Sequence, residues 1–150
     1  MMDMITKYSR WAMNRSLGLL FIRLAVGMVF FAHGWMKVNN MDIVEGMFVG
    51  LGFPVFAATF VAWLEVIGGA ALILGVCTRV FAKLFAITMF VAFFATGGFA
   101  TGYAPHELEL ALLFASLGLM FTGGGRYSLW PMECHRCGAM FCKGNCAEHK

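Results

Sequence analysis

The chain has 150 residues, of which 61% are apolar and 13% charged, and its formal net charge is +3. An ordinary soluble domain carries about 45–50% apolar and about 25% charged residues, and a domain this small leaves too much surface in water to hide the excess. The composition excludes a water-soluble globule and directs the apolar surface to lipid. With a small net charge and no basic stripe, nucleic acid is not an expected partner.

In chain order, residues 1–16 form an N-terminal segment, MMDMITKYSRWAMNRS. Its basic flank leads into a long apolar run without a small-residue cleavage site, so that run is read as a retained anchor. Four apolar runs follow, at 17–36, 55–77, 80–99 and roughly 106–122. A helical crossing needs about 20 apolar residues, with a range of about 17–25. The first three runs meet this length. The fourth is marginal and starts with polar residues; it is read as a span whose polar end is shielded by its neighbours. Only Thr78 and Arg79 separate the second and third runs, which makes those helices antiparallel neighbours. Between the first and second runs, Asp42 and Glu45 have the spacing of a capping box. Ile43, Val44, Met47, Phe48 and Leu51 then share one helical face. That pattern predicts a short helix on the membrane surface, ended by Gly50, Gly52 and Pro54. The expected fold is all-α: a four-helix transmembrane bundle over 17–130, a short interfacial helix between helices 1 and 2, and a small Cys-rich C-terminal tail over 131–150.

Lys and Arg in short flanks set orientation. Lys7, Arg10 and Arg15 precede the first span, Arg79 and Lys83 lie at the second turn, and Arg126, Arg136, Lys143 and Lys150 follow the fourth. These regions share one face of a four-span protein, which is expected to be cytoplasmic. Both termini then lie inside, in a bacterial inner (cytoplasmic) membrane.

Charges inside hydrocarbon are costly and face the bundle interior. Arg23 in the first span and Glu65 in the second are expected to touch, as structural glue or as part of a proton- or quinone-handling site. Gly68 and Gly69 let a neighbouring helix approach. A second polar group is expected at the outer ends of the first and fourth spans: His33, Trp35 and Lys37 with His106, Glu107 and Glu109. It suits a quinone head group, a metal or a haem held by two histidines, or a plain interfacial network. Glu107 and Glu109 are two apart and point to different sides of a helix. Cys77, at the end of a span, reads as core. No catalytic residue is assigned, because no Ser/His/Asp order, phosphate loop or dinucleotide fingerprint occurs. TGGGRYS, after the fourth run, reads as a helix stop with a basic anchor.

The tail holds four of the five cysteines, Cys134, Cys137, Cys142 and Cys146, spaced C-x2-C-x4-C-x3-C. Thiols stay reduced in a cytosol, and four thiolates this close can wrap one tetrahedral ion. Zinc leads and an iron–sulfur cluster is second. Covalent haem is disfavoured, since Gly138 rather than His follows Cys137. Free thiols or reversible disulfides are the plain alternative.

IRLAVGMVFFAHGWMKV, GLGFP, WLEVIGGAALILGVCTRV and HELELALLFASLGLMFTGGGRYSLW, in that order, resemble the DoxX (DoxX/DoxD-like) family. The positions carrying the likeness are Arg23, His33, Gly34, Lys37, Glu65, Gly68, Gly69, Arg79, Glu107, Arg126 and Tyr127. The resemblance implies four membrane helices and a redox association. Some members resemble a subunit of thiosulfate:quinone oxidoreductase, others belong with membrane complexes of thiol and superoxide defence, and others sit beside genes for copper-binding peptides. The cysteine tail is an addition to that pattern. The expectation is a small membrane subunit of a quinone-linked redox system with a metal-binding tail and a protein partner. Arg23, His33, Lys37, Glu65, His106 and Glu107 would bind its quinone. The alternatives are a non-catalytic accessory subunit of a larger respiratory or photosynthetic complex, and a copper- or zinc-handling membrane protein.

Overall fold

The computed structural model describes residues 15–102, 106–125 and 127–129. The four tail cysteines, Arg126 and the first fourteen residues lie outside these. Five α-helices follow in order: α1 (Arg15–Asn39), α2 (Met41–Gly50), α3 (Val55–Leu74), α4 (Thr78–Ala95) and α5 (Glu107–Thr122), with a 3-10 turn at Gly98–Thr101 before α5. There is no strand among the described residues. Stretches of α1 (Ser16–Asn39), α3 and α4 are long and apolar enough to cross a membrane. The 16 residues of α5 extend about 24 Å at 1.5 Å per residue, short of the roughly 30 Å hydrocarbon thickness. The bundle is built as two intimate pairs, α1 with α3 and α4 with α5.

Small residues explain the first pair. A Cβ on Gly34 would sit 2.7 Å from Glu65 Cβ and 2.7 Å from the Val66 backbone nitrogen. Two turns earlier a Cβ on Gly27 would meet the Gly69 carbonyl at 3.0 Å. Backbone meets backbone along this line, the close approach that small residues permit between membrane helices. Gly68, as expected, receives another helix: a Cβ there would meet the Phe81 and Phe85 rings of α4. The core between the pairs is Val26, Phe30, Leu72, Ala82, Phe85, Met89, Leu112 and Leu119. Phe30 of α1 stacks on Phe85 of α4 with ring centroids 3.7 Å apart. Phe21, Phe56, Phe60, Phe114 and Phe121 point outward, as lipid-facing residues do.

Three local expectations need correction. The turn between α3 and α4 lies at Gly75–Cys77, before Thr78 and Arg79, which are the first residues of α4. Gly75, at φ 76°, takes the left-handed conformation that stops α3, a conformation glycine adopts freely. Cys77 therefore belongs to a turn, half-buried at φ 48°, and not to the core. The third correction concerns the capping box. Asn40 occupies the N-cap of α2, with no side-chain cap bond; its amide turns back to the Met36 carbonyl at 2.9 Å. Asp42 lies inside the first turn, where its charge still complements the helix dipole.

Candidate functional site

A cavity of about 510 Å³ opens where α1, α2, α3, α4 and the start of α5 converge. Its walls are mostly apolar: Met47 and Phe48 from α2, Leu51 and Phe53 beyond it, Val61 from α3, Met89 and Ala92 from α4, and Leu112 from α5. Of the apolar face its periodicity predicts, Val44 is buried and Phe48 half-buried, Met47 and Leu51 border the cavity while remaining exposed, and Ile43 points away from it. The surface helix thus roofs the cavity.

Polar groups reach this apolar chamber at a few points: Lys37, His33, Glu65, Thr88, Thr96 and Glu109. Glu65 is 1% exposed. Lys37 Nζ donates to Glu65 Oε1 at 2.5 Å, with the lysine side chain 24% exposed. The second carboxylate oxygen, Oε2, is buried and meets no donor among the described residues. Buried charges are tolerated when paired, and Lys37 supplies that pairing at one oxygen only. His33 lies exposed on the cavity wall, its Nδ1–H donating to the Val29 carbonyl at 2.8 Å.

A second polar group borders the cavity. His106 is 3% exposed and packs edge-on against Phe93. Its Nδ1 lies 2.9 Å from Glu109 Oε2 and 3.3 Å from Thr96 Oγ1. A carboxylate only accepts, and the Thr96 hydroxyl already donates to the Ala92 carbonyl at 2.8 Å. Both arrangements assign the donated proton to His106 Nδ1.

The expected Arg23–Glu65 contact does not form. With Gly34 opposite Glu65, Arg23 lies roughly three turns away along α1, about 16 Å at 1.5 Å per residue. Arg23 instead closes the other end of the bundle. Its Nη1 donates to the Gly124 carbonyl at 2.8 Å and its Nη2 to the Tyr127 carbonyl at 3.1 Å. These groups follow α5, where a cation also favours the helix dipole. Gly75 makes the room: a Cβ there would come within 2.5 Å of Nη1. The structure therefore brings together His33, Lys37 and Glu65, sets His106 just behind the wall, and leaves out Arg23. Glu107 is exposed and does not line the cavity; Glu109 takes the place expected of it. The signal for Glu109 was its spacing of three from His106, which puts the two on one helical face. Among the described residues no three His, Cys, Asp or Glu side chains converge as a metal site would require.

Small, all-helical membrane proteins with a polar pair folded into an apolar chamber are the class this architecture defines. The DoxX family model matches residues 18–98, and the chain belongs to the DoxX family. It is 34% identical over 121 residues to the "Putative oxidoreductase CatD" of Bacillus subtilis, covering 79% of this chain and 90% of the relative. It is 30% identical over 115 residues to the inner membrane protein YqjF of Escherichia coli, covering 75% of this chain and 88% of the relative. No solved structure matches the chain.

Proposed function

We propose that this protein is an integral membrane subunit of a redox system and that its cavity holds a quinone-class molecule. The observation that carries the reading is the pairing of an apolar chamber with one buried, half-satisfied carboxylate. Small-molecule sites are mostly apolar with a few placed polar groups, in volumes of about 300–1,000 Å³. A quinone has that division, an apolar body with ring oxygens. Interconverting quinone and quinol moves two electrons and two protons. Lys37, Glu65 and His33, which line the cavity, would exchange the protons, and the electrons would pass to or from a protein partner. The oxidoreductase name of the Bacillus subtilis relative supports the redox class. Arg23 has no part in this chamber and is structural, the feature the accessory-subunit reading draws on.

A second element of the proposal concerns the tail. Cys134, Cys137, Cys142 and Cys146 have the spacing to hold one zinc ion, or an iron–sulfur cluster, where a cytoplasmic partner docks.

Decylubiquinone binding to protein in nanodiscs tests the cavity reading. Saturable binding is expected, and Ala57→Trp, which fills the chamber from its α3 wall, should weaken it at least about tenfold with helicity unchanged. Absence of saturable binding, or binding indifferent to Ala57→Trp, would defeat it.

A further inference from the structure

The polar end of the cavity offers one donor, Lys37, and one unpartnered acceptor, Glu65 Oε2. Lys37 and Glu65 form an ion pair in which one ammonium N–H is spent on Glu65 Oε1. An ionised carboxylate accepts hydrogen bonds and cannot donate; an ammonium donates and cannot accept. Oε2 of Glu65 is buried without a donor, on a residue that lines the cavity. A ligand carbonyl accepts from Lys37 and offers Oε2 nothing. A ligand hydroxyl serves both partners: its oxygen accepts from Lys37 while its hydrogen goes to Oε2. Leaving a buried acceptor unpaired is penalised more heavily than the mean hydrogen bond gains. A site built around a ligand hydroxyl rejects the analogue lacking it more strongly than size alone would allow.

We infer that the cavity selects the reduced, hydroxyl-bearing quinol over the quinone, with the ring hydroxyl held between Lys37 and Glu65 Oε2. This rests on the quinone-class reading above and adds which redox form is held and by which atoms. Preference for the reduced form raises the midpoint potential of the bound couple, by about 30 mV for each tenfold in affinity ratio of a two-electron couple. The bound quinone is then a stronger oxidant than the free pool. That suits a subunit which draws electrons from a donor into the membrane rather than the reverse.

The test compares decylubiquinol with decylubiquinone, under anaerobic conditions, on the full-length protein in nanodiscs. The wild type should bind the quinol at least about tenfold more tightly. Glu65→Gln, whose amide both donates and accepts, should reduce the ratio to within about twofold. If that variant fails to fold, the neutral pair Lys37→Gln/Glu65→Gln carries the same expectation. The wild-type ratio decides the preference without any variant. Equal affinities, or tighter quinone binding, overturn the inference and leave the quinone cavity standing. A preference that survives both variants overturns the assignment to Glu65. Failure of both forms to bind overturns the reading beneath it.

Discussion

At the residue scale, the two intramembrane charges found by composition have different fates. Arg23 satisfies backbone carbonyls at the end of α5, whereas Glu65 depends on Lys37. Removing one member of a buried pair leaves an uncompensated charge, at about 3–5 kcal/mol, while replacing both is often close to neutral. Lys37→Met is therefore expected to lower stability by about 3–5 kcal/mol. The double variant Lys37→Met/Glu65→Gln should recover most of that loss. Unfolding midpoints in a fixed detergent measure both. Equal destabilisation by the single and double variants would mean that Glu65 does not rely on Lys37. The members of the candidate site were legible one at a time: Glu65, Lys37 and His33 all stand out as polar groups in oil. Their partnership was not legible, because composition says which charges need partners and nothing about helix register. Lys37 looks like an interfacial anchor, and only the alignment of Gly34 with Glu65 carries its amine down to the carboxylate.

At the element scale, that register is set by absent side chains. Gly34 allows α1 to lie against α3 at the level of Glu65, so Gly34→Ala forces the backbones apart where the ion pair forms. Overpacking of this kind costs about 1–3 kcal/mol. The variant should lose stability in that range and also weaken decylubiquinone binding, since the pair shifts with the helix. Gly46→Ala, at an open position on α2, is the control and should leave binding intact. If Gly34→Ala binds the probe like wild type, helix spacing does not hold the site. The elements themselves were largely readable: the four apolar runs became helices, three of them long enough to span, and part of the apolar face of α2 became a roof. Their ends were not. Asp42 and Glu45 matched a capping pattern, yet Asn40 ends up at the cap because it already bonds back to α1. The α3–α4 turn came early because Gly75 must clear Arg23, a tertiary demand that no local pattern carries.

At the scale of the whole molecule, the two ends of the described residues share one side. Leu129 N donates to the Leu74 carbonyl at 3.3 Å and Ser128 to that of Gly75. A Cβ on Gly125 would meet Leu19 at 3.5 Å and the Ser16 carbonyl at 3.8 Å. The start of α1, the α3–α4 turn and the root of the cysteine tail therefore lie together, with α2 at the opposite end. The Lys and Arg of the first group, together with those flanking it in the sequence, predict a cytoplasmic position for that side. A membrane-impermeant maleimide on intact cells tests the assignment. Asp42→Cys, in a background with the native cysteines changed to serine, should label from outside. The four tail thiols of the native chain should label only after permeabilisation and chelation. Compartment then decides their chemistry: on the proposed reading, reduced thiolates on the cytosolic side would hold a metal, and elemental analysis should find it lost when residues 131–150 are removed. Labelling of the tail from outside would reverse the orientation. The same thiols would then face an oxidising environment, where disulfides are favoured, and metal binding by the tail would fall with the topology.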